Sequence, residues 1–245
     1  MTEQPIAVLS GGSSGLGKAM AVYLQSRGFY VITISRRAPE EGIGNRHIAV
    51  DLTNGEQRRQ LVAELSSFPH LDLLINNAGV GAYATWAELS EADLRRLCEL
   101  DFFAPVLLTR DLLPLLRRSR ATVVNISSAA GLLPVACMGA YSAAKAALRM
   151  FSETLRTEER QIRVLTVCPG RIDTGFSSRA FGSRQVPDTP KHDSATPERL
   201  AKAVYRAYKR HRRTLIYPRW YAWAISWLSH FPSWYESGSR KVWKL

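Results

Sequence analysis

The chain has 245 residues, 46% of them hydrophobic and 22% charged, with a formal net charge of +12. Such proportions belong to a globular protein with a substantial core and exclude disordered and fibrous classes. The charge excess is local: residues 195–245 carry 11 Lys/Arg against two Glu, whereas the first 194 residues are close to balance, so it describes one surface and not the whole fold.

The elements alternate along the chain. Ile6-Ala7-Val8-Leu9 reads as a strand, Gly15 to Arg27 as a helix, and Tyr30-Val31-Ile32-Thr33-Ile34 as a strand. Further strands are expected at Leu71–Ile75, Thr122–Ile126, Ile162–Val167 and Thr214–Ile216. Helical patterns occupy 55–67, 90–117, 139–158 and 197–210, with Pro114 compatible with a late kink or stop in the second of these. Continuous apolar strands separated by helical lengths mean strands buried on both faces. The predicted fold class is therefore α/β, a single doubly wound domain with a parallel sheet flanked by helices. One long irregular stretch, Ile172 to Ala195, has the length of a lid or binding loop. No repeat or low-complexity linker divides the chain.

Cys98, Cys137 and Cys168 lie far apart, without metal-ligand spacing, and read as reduced thiols. Neither a signal-peptide core nor a membrane-spanning run of roughly 18 apolar residues is present, so a cytoplasmic location is expected. A pI near 10.0 is compatible with nucleic-acid binding, but no recognition motif accompanies it, and no nucleic-acid partner is expected.

Two groups of residues carry chemistry. Ser10-Gly11-Gly12-Ser13-Ser14-Gly15-Leu16-Gly17 joins the first strand to the first helix. Glycines there let the backbone turn tightly and approach a pyrophosphate, and the helix N-terminus behind them offers free N–H groups. Tyr141 and Lys145 stand four residues apart on one helix and share a face. A tyrosine with a free pKa of about 10 is a poor acid–base group at neutral pH, and a neighbouring ammonium stabilises its phenolate. Ser128, thirteen residues before Tyr141 at a strand end, is placed to hydrogen-bond the same substrate oxygen.

The order of these motifs resembles the short-chain dehydrogenase/reductase family. Its T-G-x-x-x-G-x-G turn is matched with Ser10 in the Thr place. Asn76-Asn77-Ala78-Gly79, Ser128, Tyr141-x-x-x-Lys145 and Pro169-Gly170-x-Ile172-x-Thr174 follow at family-like separations, so the resemblance covers residues 10 to 174. It implies a Rossmann-type catalytic domain over 1–217 and hydride transfer between a nicotinamide and a carbonyl carbon. Tyr141 would be the proton donor, Ser128 would orient the oxygen, and Lys145 would hold the nicotinamide ribose and lower the tyrosine pKa. It also implies cofactor contacts from Ser10, Gly11, Ser13, Ser14, Gly15, Leu16, Gly17, Asn77, Ala78, Gly79, Tyr141, Lys145, Pro169, Gly170, Ile172 and Thr174. Asp101 departs from the pattern: the family's Asn at this place serves a proton relay largely through its backbone carbonyl, which Asp also supplies, while the carboxylate could sit near Lys145.

Where NAD-selective relatives carry an acidic residue after the second strand, this chain has Ser35 followed by Arg36 and Arg37. Two guanidiniums and no carboxylate suit a 2′-phosphate, so NADP(H) is the expected cofactor. Asp51-Leu52, after a third strand, resembles the adenine-contacting pair, with helix capping by Asp51 as the competing reading.

Residues 218–245 match no family motif and form a basic, aromatic-rich extension. Five of the six tryptophans lie in the last 26 residues. On a helical wheel Trp220, Trp223, Trp227, Leu228 and Phe231 make one stripe, with arginines before it and Arg240, Lys241 and Lys244 after it. The stripe reads either as a peripheral contact with an anionic membrane surface or as packing on the domain, over the substrate cleft or against another subunit. The expected cleft, lined by Val80, Tyr83, Trp86, Leu132, Leu133, Val135, Met138, Ile172, Phe176 and Phe181, is mostly apolar and suits a hydrophobic ketone, aldehyde, alcohol or lipid-like molecule. Reduction of 3-oxoacyl groups on a carrier protein and non-catalytic NADP(H) sensing are the alternatives. A homo-dimer or tetramer through the helices at 90–117 and 139–158 is expected.

Overall fold

A computed structural model describes residues 4–185 and 195–244. Its described strands form one parallel seven-stranded sheet. They are β1 (Ile6–Ser10), β2 (Tyr30–Ser35), β3 (Arg46–Ala49), β4 (Leu73–Asn76), β5 (Thr122–Ile126), β6 (Arg163–Pro169) and β7 (Thr214–Tyr217), in the order β3-β2-β1-β4-β5-β6-β7. Parallel neighbours need crossovers, and the helical segments supply them. These are α1 (Gly15–Gln25), α2 (Gly55–Ser66), α3 (Glu91–Cys98), α4 (Ala104–Asp111), α5 (Leu113–Arg118), α6 (Gly139–Glu158) and α7 (Pro197–Lys209). Strands β1, β4 and β5 are buried along their whole length, as a sheet covered on both faces requires.

Two apolar layers enclose the sheet. One gathers Val8, Ile32, Leu74, Leu108, Leu112 and Leu155. The other gathers Leu9, Met20, Leu24, Ile75, Val124 and Leu200. Strand order reverses between β1 and β4, and at such a switch point the loops after the two strands diverge and leave a crevice.

Three features differ from the sequence expectation. Strand β3 is short and, in Arg46-His47-Ile48-Ala49, only half-buried, so its hydrophobic signal is weak; it follows from its pairing with β2. The single helix expected over 90–117 is divided by a π-helical turn, Glu99–Phe103, and by a break at Leu112 just before Pro114. The tail helix does not run through Phe231: α8 (Trp220–Leu228) ends before Pro232, and α9 (Pro232–Trp243) starts there. The long loop from Ile172 is described as far as Gln185; its residues 186–194, like Leu245 of the tail, lie outside the described residues. No helix among the described residues is long and apolar enough to cross a membrane, and no group of His, Cys, Asp and Glu among them forms a metal cluster.

Candidate active site

The turn after β1 is knitted to the turn after β4. Ser10 Oγ accepts the Asn77 and Ala78 N–H groups at 2.9 and 3.0 Å, and Asn77 Nδ2 donates to the Ser10 carbonyl at 3.0 Å. A serine thus fills the threonine place of the motif, because only the hydroxyl is used. A Cβ on Gly17 would come within 1.9 Å of the Gly11 carbonyl oxygen, so the first turn of α1 can sit on the loop only without a side chain. Gly15 has φ +53°, and a Cβ there would meet Thr174 at 2.9 Å, which brings the Pro169–Thr174 segment over the start of α1. Ser14 is the N-cap of α1 but makes no side-chain cap bond, and no acidic residue occupies the first turn. The N-terminus of α1 therefore presents its positive end and its N–H groups beside Ser13, with Leu16 buried behind. This cradle fits a pyrophosphate.

At the edge of the same crevice, β2 ends at Ser35, whose hydroxyl donates to the Arg37 carbonyl at 2.7 Å. Arg36 and Arg37 are exposed. Asp51 is not a helix cap: Asn54 caps α2, accepting from the Glu56 and Gln57 N–H groups, whereas Asp51 accepts from the N–H and hydroxyl of Thr53. Burial pushes the Asp51 carboxyl up, but the Thr53 bonds and the nearby Arg36 outweigh it and hold the group below its ordinary range. Leu52 is buried beside it.

Ser128, Tyr141 and Lys145 converge. Ser128 opens a short turn after β5, accepts the Ala130 N–H at 3.1 Å, and lies close enough to the Tyr141 hydroxyl to favour its phenolate. Lys145 Nζ lies 5.6 Å from the Tyr141 ring centroid and donates to the Ile126 carbonyl at 3.2 Å. It also makes a 3.0 Å ion pair with Asp101 Oδ2, and both side chains are buried. The π-helical turn aims Asp101 inward, where its Oδ1 accepts the Val80 N–H at 2.8 Å. A Cβ on Gly79 would lie 3.0 Å from Asp101 and 3.3 Å from Lys145, so glycine leaves room for the pair.

The electrostatic outcome differs from the expected lowering of the tyrosine pKa. Burial, then the Asp101 charge, push Tyr141 well above the ordinary tyrosine value, and Ser128 only partly offsets them. Burial likewise raises Asp101, against the pull of Lys145. A carboxylate at 3.0 Å opposes the field of the Lys145 ammonium at Tyr141.

Tyr141 is only 7% exposed. The Phe176 ring lies 5.9 Å from it, and Val135, Met138 and Phe181 pack in the same apolar cluster. Leu132 and Leu133 are half-buried just after the Ser128 turn, and Trp86 lies against Gly139 at the start of α6. Ile172 departs from the expected lining: it packs in the core layer of α1 and α7 and bridges to Ala195. Tyr83 faces the tail, stacked on Trp243 at 5.8 Å. Pro169 ends β6, and a Cβ on Gly170 would strike the Tyr221 ring at 2.6 Å, so α8 lies on this loop.

Sequence reasoning missed a buried polar chain under the site. Asn76 donates to Thr109 at 3.0 Å and to Asn125 at 2.7 Å, and Asn125 donates to Ser152 at 2.8 Å. Its signal was the amide in the otherwise apolar Thr122-Val123-Val124-Asn125-Ile126. A buried amide needs partners, and these tie β4, β5, α4 and α6 together beneath the Ser–Tyr–Lys group.

A parallel sheet with a glycine turn at its switch point, and a Ser–Tyr–Lys group on the β5–β6 crossover, define an α/β protein of the doubly wound, nucleotide-binding class. The chain belongs to the short chain dehydrogenase family, whose model matches residues 5–184. It is 37% identical over 177 residues to a 3-ketodihydrosphingosine reductase of Bacteroides thetaiotaomicron, covering 70% of this chain and 65% of that protein. It is 31% identical over 234 residues to estradiol 17-beta-dehydrogenase 2 of Mus musculus, covering 88% of this chain and 60% of that one. The chain thus spans less than two thirds of these relatives' lengths. Among solved structures, a short chain dehydrogenase of Burkholderia cenocepacia in complex with NADP superimposes with a TM-score of 0.82 at 24% identity, covering 97% and 98% of the two chains.

Proposed function

We propose that the protein is an NADP(H)-dependent reductase of apolar, lipid-like ketones or aldehydes, or the corresponding dehydrogenase of their alcohols. The observation that carries the reading is the convergence of Ser128, Tyr141 and Lys145 beneath the aromatic and methionine side chains of Phe176, Phe181 and Met138. NADP(H), when bound, supplies or accepts the hydride. The turn from Ser10 to Gly17 would hold its pyrophosphate, Arg36 and Arg37 its 2′-phosphate, Asp51 and Leu52 its adenine, and the Asn77–Gly79 and Pro169–Thr174 segments the nicotinamide half. Ser128 donates a hydrogen bond to the substrate oxygen, and Tyr141 places a proton on it. Lys145 and Asp101 hold one another, and Lys145 would hold the nicotinamide ribose when NADP(H) is bound.

The sphingoid and estradiol names of the two relatives agree with an apolar substrate. Residues 1–217 form the catalytic unit in this reading, with 218–245 an extension. A homo-oligomer through α3–α5 and α6 is supported by the exposure of Phe103 and Met150 on those segments. The test is NADPH oxidation with a panel of long-chain ketones, steroids and acyl thioesters. Turnover confined to the long-chain ketones and steroids is expected, and turnover of acyl thioesters alone would replace the reading with acyl-carrier reduction.

A further inference from the structure

The tail has two opposite characters. Its inner side is fastened to the domain: Tyr221 lies on Gly170, the Ala136 N–H donates to Ser239 Oγ at 3.0 Å, and Trp243, 9% exposed, stacks on Tyr83. Its outer side is an uncovered aromatic surface. Trp223 is 82% exposed and Trp234 70%, with Trp227 and Phe231 between them also exposed. Trp227, Phe231 and Trp234 touch across the α8–α9 bend, with ring centroids 4.9 to 6.2 Å apart. A contiguous aromatic patch in water marks a surface that something covers.

The charges say what covers it. Arg212, Arg213, Arg219, Arg240, Lys241 and Lys244 are exposed and enter no ion pair among the described residues. They lie before and after these aromatic side chains in sequence. A two-fold contact with a second copy would bring this basic patch against its own duplicate, whereas an anionic bilayer attracts it. Tryptophan is also the residue type that settles at the headgroup boundary. Helices of nine and twelve residues cannot span a bilayer but can lie in its interface.

We infer that α8 and α9 dock the protein on an anionic phospholipid bilayer through Trp223, Trp227, Phe231 and Trp234, holding the rim of the substrate cleft at the membrane surface. The rim follows because Trp243 and Ser239 grip Tyr83 and Ala136, and Ala136 neighbours the Cys137–Met138 segment that bridges to Ala84, beside the Ala82–Phe181 bridge. The docking itself is independent of the reaction; the delivery of a lipid-like substrate rests on the function proposed above.

The test compares the full chain with a Trp223→Ala/Trp227→Ala/Trp234→Ala variant, which leaves Trp243 and every site residue in place. Both are sedimented with vesicles of equal parts phosphatidylcholine and phosphatidylserine, and with phosphatidylcholine alone. The full chain should bind the mixed vesicles at low salt, more weakly at high salt and on phosphatidylcholine, and the variant should lose about tenfold or more of the binding. Its NADPH oxidation with a long-chain ketone dispersed in neutral detergent should be unchanged, while turnover of the same ketone carried in the vesicles should fall with the binding. A full chain left in the supernatant at low salt would overturn the inference, as would equal binding by the variant. A full chain that ignores vesicles but is a dimer, with a monomeric variant, would assign the surface to a second copy. Absence of turnover on every ketone would defeat the reductase reading and leave the vesicle result standing.

Discussion

The catalytic centre and the tail treat charge and aromatic rings in opposite ways. At the centre, the Lys145 ammonium and the Asp101 carboxylate are buried together, and Tyr141 lies under Phe176. On the outer face of the tail, Trp223, Trp227 and Trp234 stand in water, and the cations around them enter no ion pair among the described residues. Burying a charge is tolerable only with a partner, so the centre is a closed set in which each group constrains the next. The tail is open, and its side chains wait for an outside surface. Substitutions at the centre should therefore change chemistry, and those on the outer tail should change location.

The largest effect is expected at Tyr141. Tyr141→Phe should lower turnover by about 10²–10⁴ while leaving NADPH affinity near normal, as read by steady-state rates beside a cofactor titration. Near-normal turnover would break the contrast, because the buried hydroxyl would then be no more essential than an exposed ring. Next in size, Arg36→Ala or Arg37→Ala should each weaken NADPH binding by about 1.5–3 kcal/mol and leave NADH binding unchanged. Isothermal titration with both cofactors checks this, and equal wild-type affinities would remove NADP(H) from the account.

Asp101→Asn sharpens the description of the centre. Burial and the Asp101 charge both raise the Tyr141 pKa. Removing the charge leaves burial in place and frees the field of the ammonium, so the pKa must fall. Alcohol oxidation needs the deprotonated tyrosine, so its alkaline rise should move to lower pH. Ketone reduction needs the protonated form and should fade at lower pH than in the parent. Rate–pH profiles in both directions measure it; an unmoved profile would show that Asp101 leaves the tyrosine untouched.

The last comparison sets two tail residues of one type side by side. Trp243→Ala should release α9 from the rim and cost about 3 kcal/mol of local stability, visible as faster amide exchange through α9. Trp223→Ala, on the outer face, should change stability by less than about 0.5 kcal/mol. Equal costs would mean that the outer face is packed after all.

What the sequence made legible follows the same division. The sheet and most helix bounds were readable because doubly buried strands must be continuous apolar runs, as Val123-Val124 in β5 shows. The glycine turn and the Ser128–Tyr141–Lys145 set were readable because fixed spacing along a strand end and a helix fixes their positions in space. Strand β3 was weak because it is short and half-buried, and its pairing with β2, not its composition, makes it a strand. The upward shift of Tyr141 was hidden because burial depends on Phe176, thirty-five residues away, and the Asp101 charge reaches it through a π-helical turn that no periodicity announces. The tail was legible as composition only. Which tryptophans face inward depends on the break at Pro232 and on contacts with Tyr83 and Ala136.

The central claim, that Tyr141 protonates an apolar carbonyl oxygen as a hydride reaches its carbon, is tested most directly by following the label. NADPH deuterated at the transferable position is incubated with a long-chain ketone and either the parent protein or Tyr141→Phe, and the alcohol is analysed by mass spectrometry. Deuterium on the carbinol carbon with the parent, reduced by about 10²–10⁴ in rate with Tyr141→Phe, is the expected result. Unlabelled alcohol, no alcohol across the ketone panel, or equal rates from the two proteins would contradict the account.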